Sequence, residues 1–254
     1  MKLSTAFGLL VAISMPCGAQ LPEPPLPAAA IPTGANSIVA FYKPFVPATI
    51  SVRTSSSVLY GVPLIGGFVA PEIDKRRSKA ITKLLQGAGF DVADSLETQL
   101  IAALQDAGLV VSPHSVPVAK RSYRWSRPLP PAPQCACYRW IDVAVHEVGF
   151  RATTEASDFR VSLILTLSVI DPGNGKIVQS SDFVLNPNLP VMMAMGPGSI
   201  RIPEPKQFGA KTFEELKSNP TNAIHDLQLA IAEAATQIAT AAAESVDVNP
   251  GAAK

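Results

Sequence analysis

The side chains best suited to chemistry by type and spacing are sulfur ligands. Met192, Met193 and Met195 fall within Val191-Met-Met-Ala-Met-Gly196, and Cys135 and Cys137 within Gln134-Cys-Ala-Cys-Tyr138. Thioethers and thiolates at such close intervals suit a soft ion such as copper(I). The same residues have plainer uses. Loop methionines pack over the edge of a core. Two cysteines one residue apart on an extended backbone share a face, with alpha carbons near the ~7 Å limit for a bridge. A disulfide formed in an oxidising compartment and a pair of small free thiols both remain open.

Other combinations fail on spacing. His146-Glu147 opens like a zinc-protease helix, but the second histidine would fall at Phe150. His225-Asp226 matches the dyad of metal-dependent phosphohydrolases, yet only His114 and His146 remain to complete such a site. Gly173-Asn-Gly-Lys176 would need a glycine where Ile170 stands to be a phosphate loop, and a strand pattern follows it where a helix is required. It reads as a hairpin turn. No Gly-x-Ser-x-Gly is present for an activated serine. The expectation is a protein that is not an enzyme and carries no cofactor.

A different chemistry resides in Lys120-Arg-Ser-Tyr-Arg-Trp-Ser-Arg127. The cations Lys120, Arg121, Arg124 and Arg127 alternate with the rings of Tyr123 and Trp125. Such a segment holds phosphates or carboxylates on its cations while its rings stack. The plainer alternative is a solvated strand end with its rings folded onto a sheet.

The amino end determines where this chemistry would operate. One positive charge at Lys2, an apolar run from Ala6 to Met15, and small residues at Cys17 and Ala19 form a secretory signal, residues 1–19. Cleavage is expected between Ala19 and Gln20. Cys17 raises the alternative of an acylated first residue, but Pro16 stands where a lipoprotein signal wants a small side chain. Outside this run no apolar stretch reaches the ~18 residues of a membrane span. Loss of Lys2 leaves 20 basic and 20 acidic residues, so no bulk charge recruits nucleic acid. Export to the periplasm or the periphery of the outer membrane follows as an expectation.

The elements that must position these residues follow from periodicity. Residues 20–36 are a linker rich in Pro and Ala, because proline fixes φ and removes a donor. A single domain is expected over 37–245, with a disordered tail over 246–254. Within it Ser37–Tyr42, Thr49–Arg53, Leu109–Val118 and Tyr138–Phe150 read as strands, and a charged helix runs from Glu72 to Leu85. Asp94 with Glu97 reads as a capping box opening a helix that stops at Gly108, with Leu96, Leu100, Ala103 and Leu104 on one stripe. Val161, Leu163, Leu165, Leu167 and Val169 alternate with polar residues, the period of a half-buried strand. The turn at Asp171–Gly175 returns it as a hairpin through Lys176–Leu185. Thr212 with Glu215 forms a second capping pattern, and Pro220 starts a helix whose stripe is Ile224, Leu227, Ile231, Ala234 and Ile238. The class is α+β: an antiparallel, or mixed, sheet with helices on one face and a long closing helix.

Asp142-Val-Ala-Val-His-Glu-Val148, Val161–Asp171, Gly173-Asn-Gly-Lys-Ile-Val-Gln179 and the alanine-rich closing helix resemble small α/β modules of Gram-negative envelope proteins. These are the amino-terminal domain of TolB, the curli secretion lipoprotein and the transport-auxiliary lipoproteins. The likeness spans roughly residues 94–245, lies in hydrophobicity and turns, and carries over no functional residue. It implies an assembly or trafficking component whose partner is an envelope protein or an anionic envelope surface. The other reading from the residues is a soft-metal or small-ligand binding protein, and a third is an enzyme of unrecognised type.

Overall fold

The computed structural model describes residues 38–54, 69–114, 137–153, 157–185 and 198–247. Its centre is the hairpin. In β5 (Arg160–Ile170) the period-two residues Val161, Leu163, Leu165, Leu167 and Val169 are all buried. The turn is closed by Asp171 N–H donating to Lys176 O at 2.9 Å and Gly175 N–H donating to Asp171 O at 2.8 Å. Asp171 Oδ1 and Asn174 Oδ1 accept two more backbone N–H groups, so Gly173-Asn-Gly-Lys176 is a turn and not a phosphate cradle. β6 (Ile177–Leu185) returns antiparallel to β5, and β4 (Arg139–Ala152) pairs antiparallel on its other side.

The other strands correct the antiparallel expectation. β1 (Ile38–Tyr42) and β2 (Ser51–Thr54) both run parallel to β4, with Phe45 bridging Ala144 between them. β3 (Val110–His114) lies parallel outside β1, and β7 (Ile200–Arg201) parallel outside β6. The sheet is mixed, in the order β3-β1-β4-β5-β6-β7 with β2 beside β4. Parallel neighbours need long connections, and helices lie in sequence between β1 or β2 and their parallel partners β3 and β4.

Helix α1 (Val69–Gly87) starts earlier than Glu72, the expected first residue. Helix α2 (Val92–Asp106) is capped by Asp91 and not by Asp94. Asp91 Oδ1 accepts the N–H groups of Ala93 and Asp94 at 2.7 and 3.1 Å. Val92 is buried with the stripe of Leu96, Leu100 and Leu104, which draws the helix start forward past Asp94. Asp94 and Glu97 instead receive Lys43 Nζ at 2.9 and 3.1 Å. Those two hydrogen bonds hold the lysine pKa above its ordinary value. Gly108, just past the C-cap, has φ 86°, as the expected stop requires.

Helix α3 (Phe213–Ser218) has the expected cap. Thr212 Oγ1 accepts Glu215 N–H at 3.1 Å, and Glu215 Oε2 reaches back to Lys211 N–H at 2.8 Å. Helix α4 (Pro220–Asp247) opens on proline and buries Leu227, Ile231, Ala234 and Ile238, with Ile224 half-buried. It continues through Val246, which is buried, into the stretch expected as tail.

The four described helices contribute to one core cluster with the inward faces of β1, β2, β4, β5 and β6. A smaller cluster of Ala40, Tyr42, Cys137, Trp140 and Ile170 occupies the opposite face. Beside β2, α1 presents hydroxyls in place of a partner strand. Ser78 Oγ accepts Val52 N–H at 2.8 Å, and Thr82 Oγ1 accepts Ile50 N–H at 2.9 Å. A strand edge satisfied this way is no longer a template for another chain. No described helix is long and apolar enough to cross a membrane.

Candidate functional site

The cationic–aromatic run Lys120, Arg121, Tyr123, Arg124, Trp125 and Arg127 lies outside the described residues, within the crossover that joins β3 to β4. Met192, Met193, Met195 and Cys135 also lie outside them, as do Ala19 and Gln20. Cys137 is described. It is buried against Tyr42, Trp140 and Ile170 and is disulfide-bonded, so in this state it offers no thiolate to a metal. Its partner lies outside the described residues.

On the sheet face opposite the helices, some of the described polar groups form two hydrogen-bonded sets. The first depends on the bulge between Val145 and Glu147 in β4. Before it, Ile141, Val143 and Val145 face the core; after it, Val148, Phe150 and Ala152 do. The slip turns Glu147 and Arg151 to the far face. Glu147 is 8% exposed, and its oxygens receive Arg151 Nη2 at 2.9 and 2.8 Å. Ser162 Oγ donates to Glu147 Oε1 at 2.7 Å, and Arg53 Nη1 lies 3.9 Å from Oε2. One buried carboxylate thus faces two guanidiniums, of which Arg53 is more than half exposed.

The second set crosses three strands. Thr166 Oγ1 donates to Asp182 Oδ1 at 2.6 Å and lies 2.8 Å from His146 Nε2. A threonine hydroxyl has one proton, here given to the carboxylate, so Nε2 of His146 is the donor to Thr166. The row ties β4, β5 and β6 together on their far side. His146 and Glu147, adjacent in sequence, therefore serve separate sets, and neither is a zinc ligand pair. The slipped alternation of apolar residues at 145 and 148 was the sequence sign of the bulge.

His225 and Asp226 are likewise divided. Asp226 is 4% exposed and accepts the N–H groups of Phe208 and Gly209 at 3.0 and 3.2 Å. His225 faces outward, with its ring centroid 5.5 Å from that of Phe208. The pair anchors a loop. Among the described residues no group of three His, Cys, Asp or Glu side chains could hold a metal ion.

No family model matches this chain, and no curated protein matches it. Solved structures do align with it. A Xanthomonas campestris protein of family DUF330 is 12% identical over 83% of this chain and 86% of its own, with a TM-score of 0.43. A hypothetical protein from Chlamydia trachomatis is 13% identical over 85% of this chain and all of its own, with a TM-score of 0.34. The PelC dodecamer from Paraburkholderia phytofirmans is 16% identical over 57% and 67%, with a TM-score of 0.27. Likeness at this level assigns no function.

Proposed function

We propose that this chain is an exported, non-enzymatic component of the cell envelope that binds another envelope macromolecule. The observation that carries this reading is the amino-terminal run of Lys2, an apolar stretch from Ala6 to Met15 and small residues at Cys17 and Ala19. The disulfide at Cys137 supports it. Disulfides persist in oxidising compartments, and the secretory signal over residues 1–19 supplies the route to one. The contact is the run Lys120–Arg127, where four cations and two rings are concentrated in a chain of no net charge once the signal is removed. In sequence it lies between β3 and β4. The bound group is anionic, on a protein or on an envelope surface.

The test is retention from envelope extract on the immobilised mature chain, compared with the Arg121→Ser/Arg124→Ser/Arg127→Ser variant. The wild type is expected to retain one partner, less of it as salt rises, because exposed charges are screened over ~8–10 Å. The variant should melt within about 1 kcal/mol of wild type and retain nothing, since exposed charges contribute little to folding. Equal retention by both would remove the segment as the contact.

A further inference from the structure

Helix α1 carries five cations, Lys75, Arg76, Arg77, Lys79 and Lys83, against the two acids Glu72 and Asp74. Arg77 is turned inward: its guanidinium lies 5.3 Å from the centre of the Phe213 ring and donates to Thr54 Oγ1 at 3.0 Å. Arg76 meets Glu72 one turn away at 3.5 Å, both of them exposed. Asp74 is half-buried, on the side of the helix that packs inward with Ser78 and Ile81. Lys75, Lys79 and Lys83 are all exposed, and among the described residues none of them enters an ion pair or a side-chain hydrogen bond.

These three lysines recur every fourth residue, which on a helix sets them in one row with steps of about 6 Å along the axis. Like charges at this spacing repel, so the fold gains nothing from the row. Arg76 lies beside it, three residues before Lys79 and seven before Lys83, and the exposed Ile73 and Ala80 border it on one side. Residues 55–68, which lead into α1, contain no charged side chain. Of the 20 acids in the chain only Glu23 and Glu155 lie outside the described residues. The row is therefore a concentration of positive charge in a chain that has none to spare once Lys2 is removed.

We propose that the outward face of α1 is a peripheral contact with an anionic bilayer, in which Lys75, Arg76, Lys79 and Lys83 meet lipid phosphates. The residue type favours a bilayer over a protein. Protein interfaces are depleted in lysine and enriched in arginine, whose planar fork loses less freedom per hydrogen bond. Here the arginine Arg77 is used inward, and lysines make up the exposed row. A lysine ammonium acts as a hydrated point charge, and a fluid layer of headgroups lets phosphates move to it. The shape agrees with this: a straight row on the convex side of a helix meets a flat surface along its whole length. Four cations on one amphipathic helix fall in the range that recognises anionic headgroups. Ile73, 40% exposed at the border of the row, enters the interfacial layer beside them. This contact is separate from the one at Lys120–Arg127 and goes beyond it.

The experiment is co-sedimentation of the mature chain with vesicles of phosphatidylglycerol and phosphatidylethanolamine, and with vesicles of phosphatidylcholine alone. It is run in the wild-type and the Arg121→Ser/Arg124→Ser/Arg127→Ser backgrounds, so that failure at one contact is read apart from failure at the other. Binding to the anionic vesicles is expected in both backgrounds, and none to phosphatidylcholine. Lys75→Gln/Lys79→Gln/Lys83→Gln should weaken it about 100-fold, at about fivefold per cation, and flatten its salt dependence. This variant should melt no lower than wild type, because it removes like-charge repulsion along the helix. Lys176→Gln/Lys206→Gln/Lys211→Gln takes the same charge from exposed positions elsewhere and should bind as wild type does. Absence of binding to the anionic vesicles overturns the proposal. Equal losses in the two glutamine variants overturn it in favour of bulk charge. An acidic protein captured through the α1 row with no vesicle binding overturns it in favour of a protein partner.

Discussion

Gly149 is the point where β2 comes closest to β4. It pairs with Ser51, and a Cβ built on it would run into the Ser51 backbone, not into a side chain that could turn aside. Gly149→Ala should therefore destabilise the fold by about 3 kcal/mol or more, because overpacking against backbone cannot relax locally. Thermal or urea unfolding measures this, and an unchanged midpoint would mean β2 does not dock as described. The neighbouring pair Glu147–Arg151 makes a different point. Arg151→Met leaves a buried carboxylate with Ser162 and a distant Arg53, which should lower stability by about 3–5 kcal/mol. Arg151→Met combined with Glu147→Leu should recover much of that loss, since burial of an unpaired charge is the larger penalty. A double-mutant cycle by urea unfolding checks it, and additive losses would show that the pair is not coupled.

At the level of elements, Leu165 on β5 and Ile231 on α4 are buried in the same core cluster, with exposures of 0% and 1%. Replacement of either by alanine should lower stability by about 2–5 kcal/mol, read by thermal unfolding. Unchanged melting in both variants would break the pairing of β5 with α4. What the sequence made legible was local. The β5–β6 hairpin, the Thr212 cap, Gly108 and the stripe of α4 depend on neighbours within a few residues, and each appears where periodicity put it. The choice between Asp91 and Asp94 as cap turned on whether Val92 is buried, a tertiary fact. The parallel placement of β1 and β2 along β4 depends on partners far away in the chain and has no local signature. Among the chemical groups, Glu147 was legible only as half of a failed zinc motif. Its partner Arg151 is found by following the slipped alternation through the bulge. Asp226 was legible as an acid beside a histidine, but its acceptance of two backbone N–H groups is set by a loop 17 residues earlier.

For the molecule as a whole, the testable boundary is its amino end. Cys17 and Ala19 supply the small residues a signal peptidase reads. On the proposed export, intact mass of the chain recovered outside the cytoplasm should give Gln20 as the first residue, and an acylated Cys17 would instead tether the protein to a membrane by lipid. Either form would carry the same sheet, because the described domain begins at Ile38.

The parallel pairing of β1 with β4 also sets an order of events in time. Val39 and Arg139 are register partners about a hundred residues apart. A chain leaving the ribosome amino end first therefore holds β1, β2, α1, α2 and β3 before their central strand exists. Closing so long a loop is entropically slow, whereas β4, β5 and β6 meet as successive antiparallel neighbours. The carboxyl-terminal meander is thus the natural nucleus, and the amino-terminal strands wait with apolar faces uncovered. In stopped-flow refolding Leu165→Ala should slow folding, while Val39→Ala should mainly speed unfolding. On this order, β1 and β2 dock only after β4 has formed beside β5.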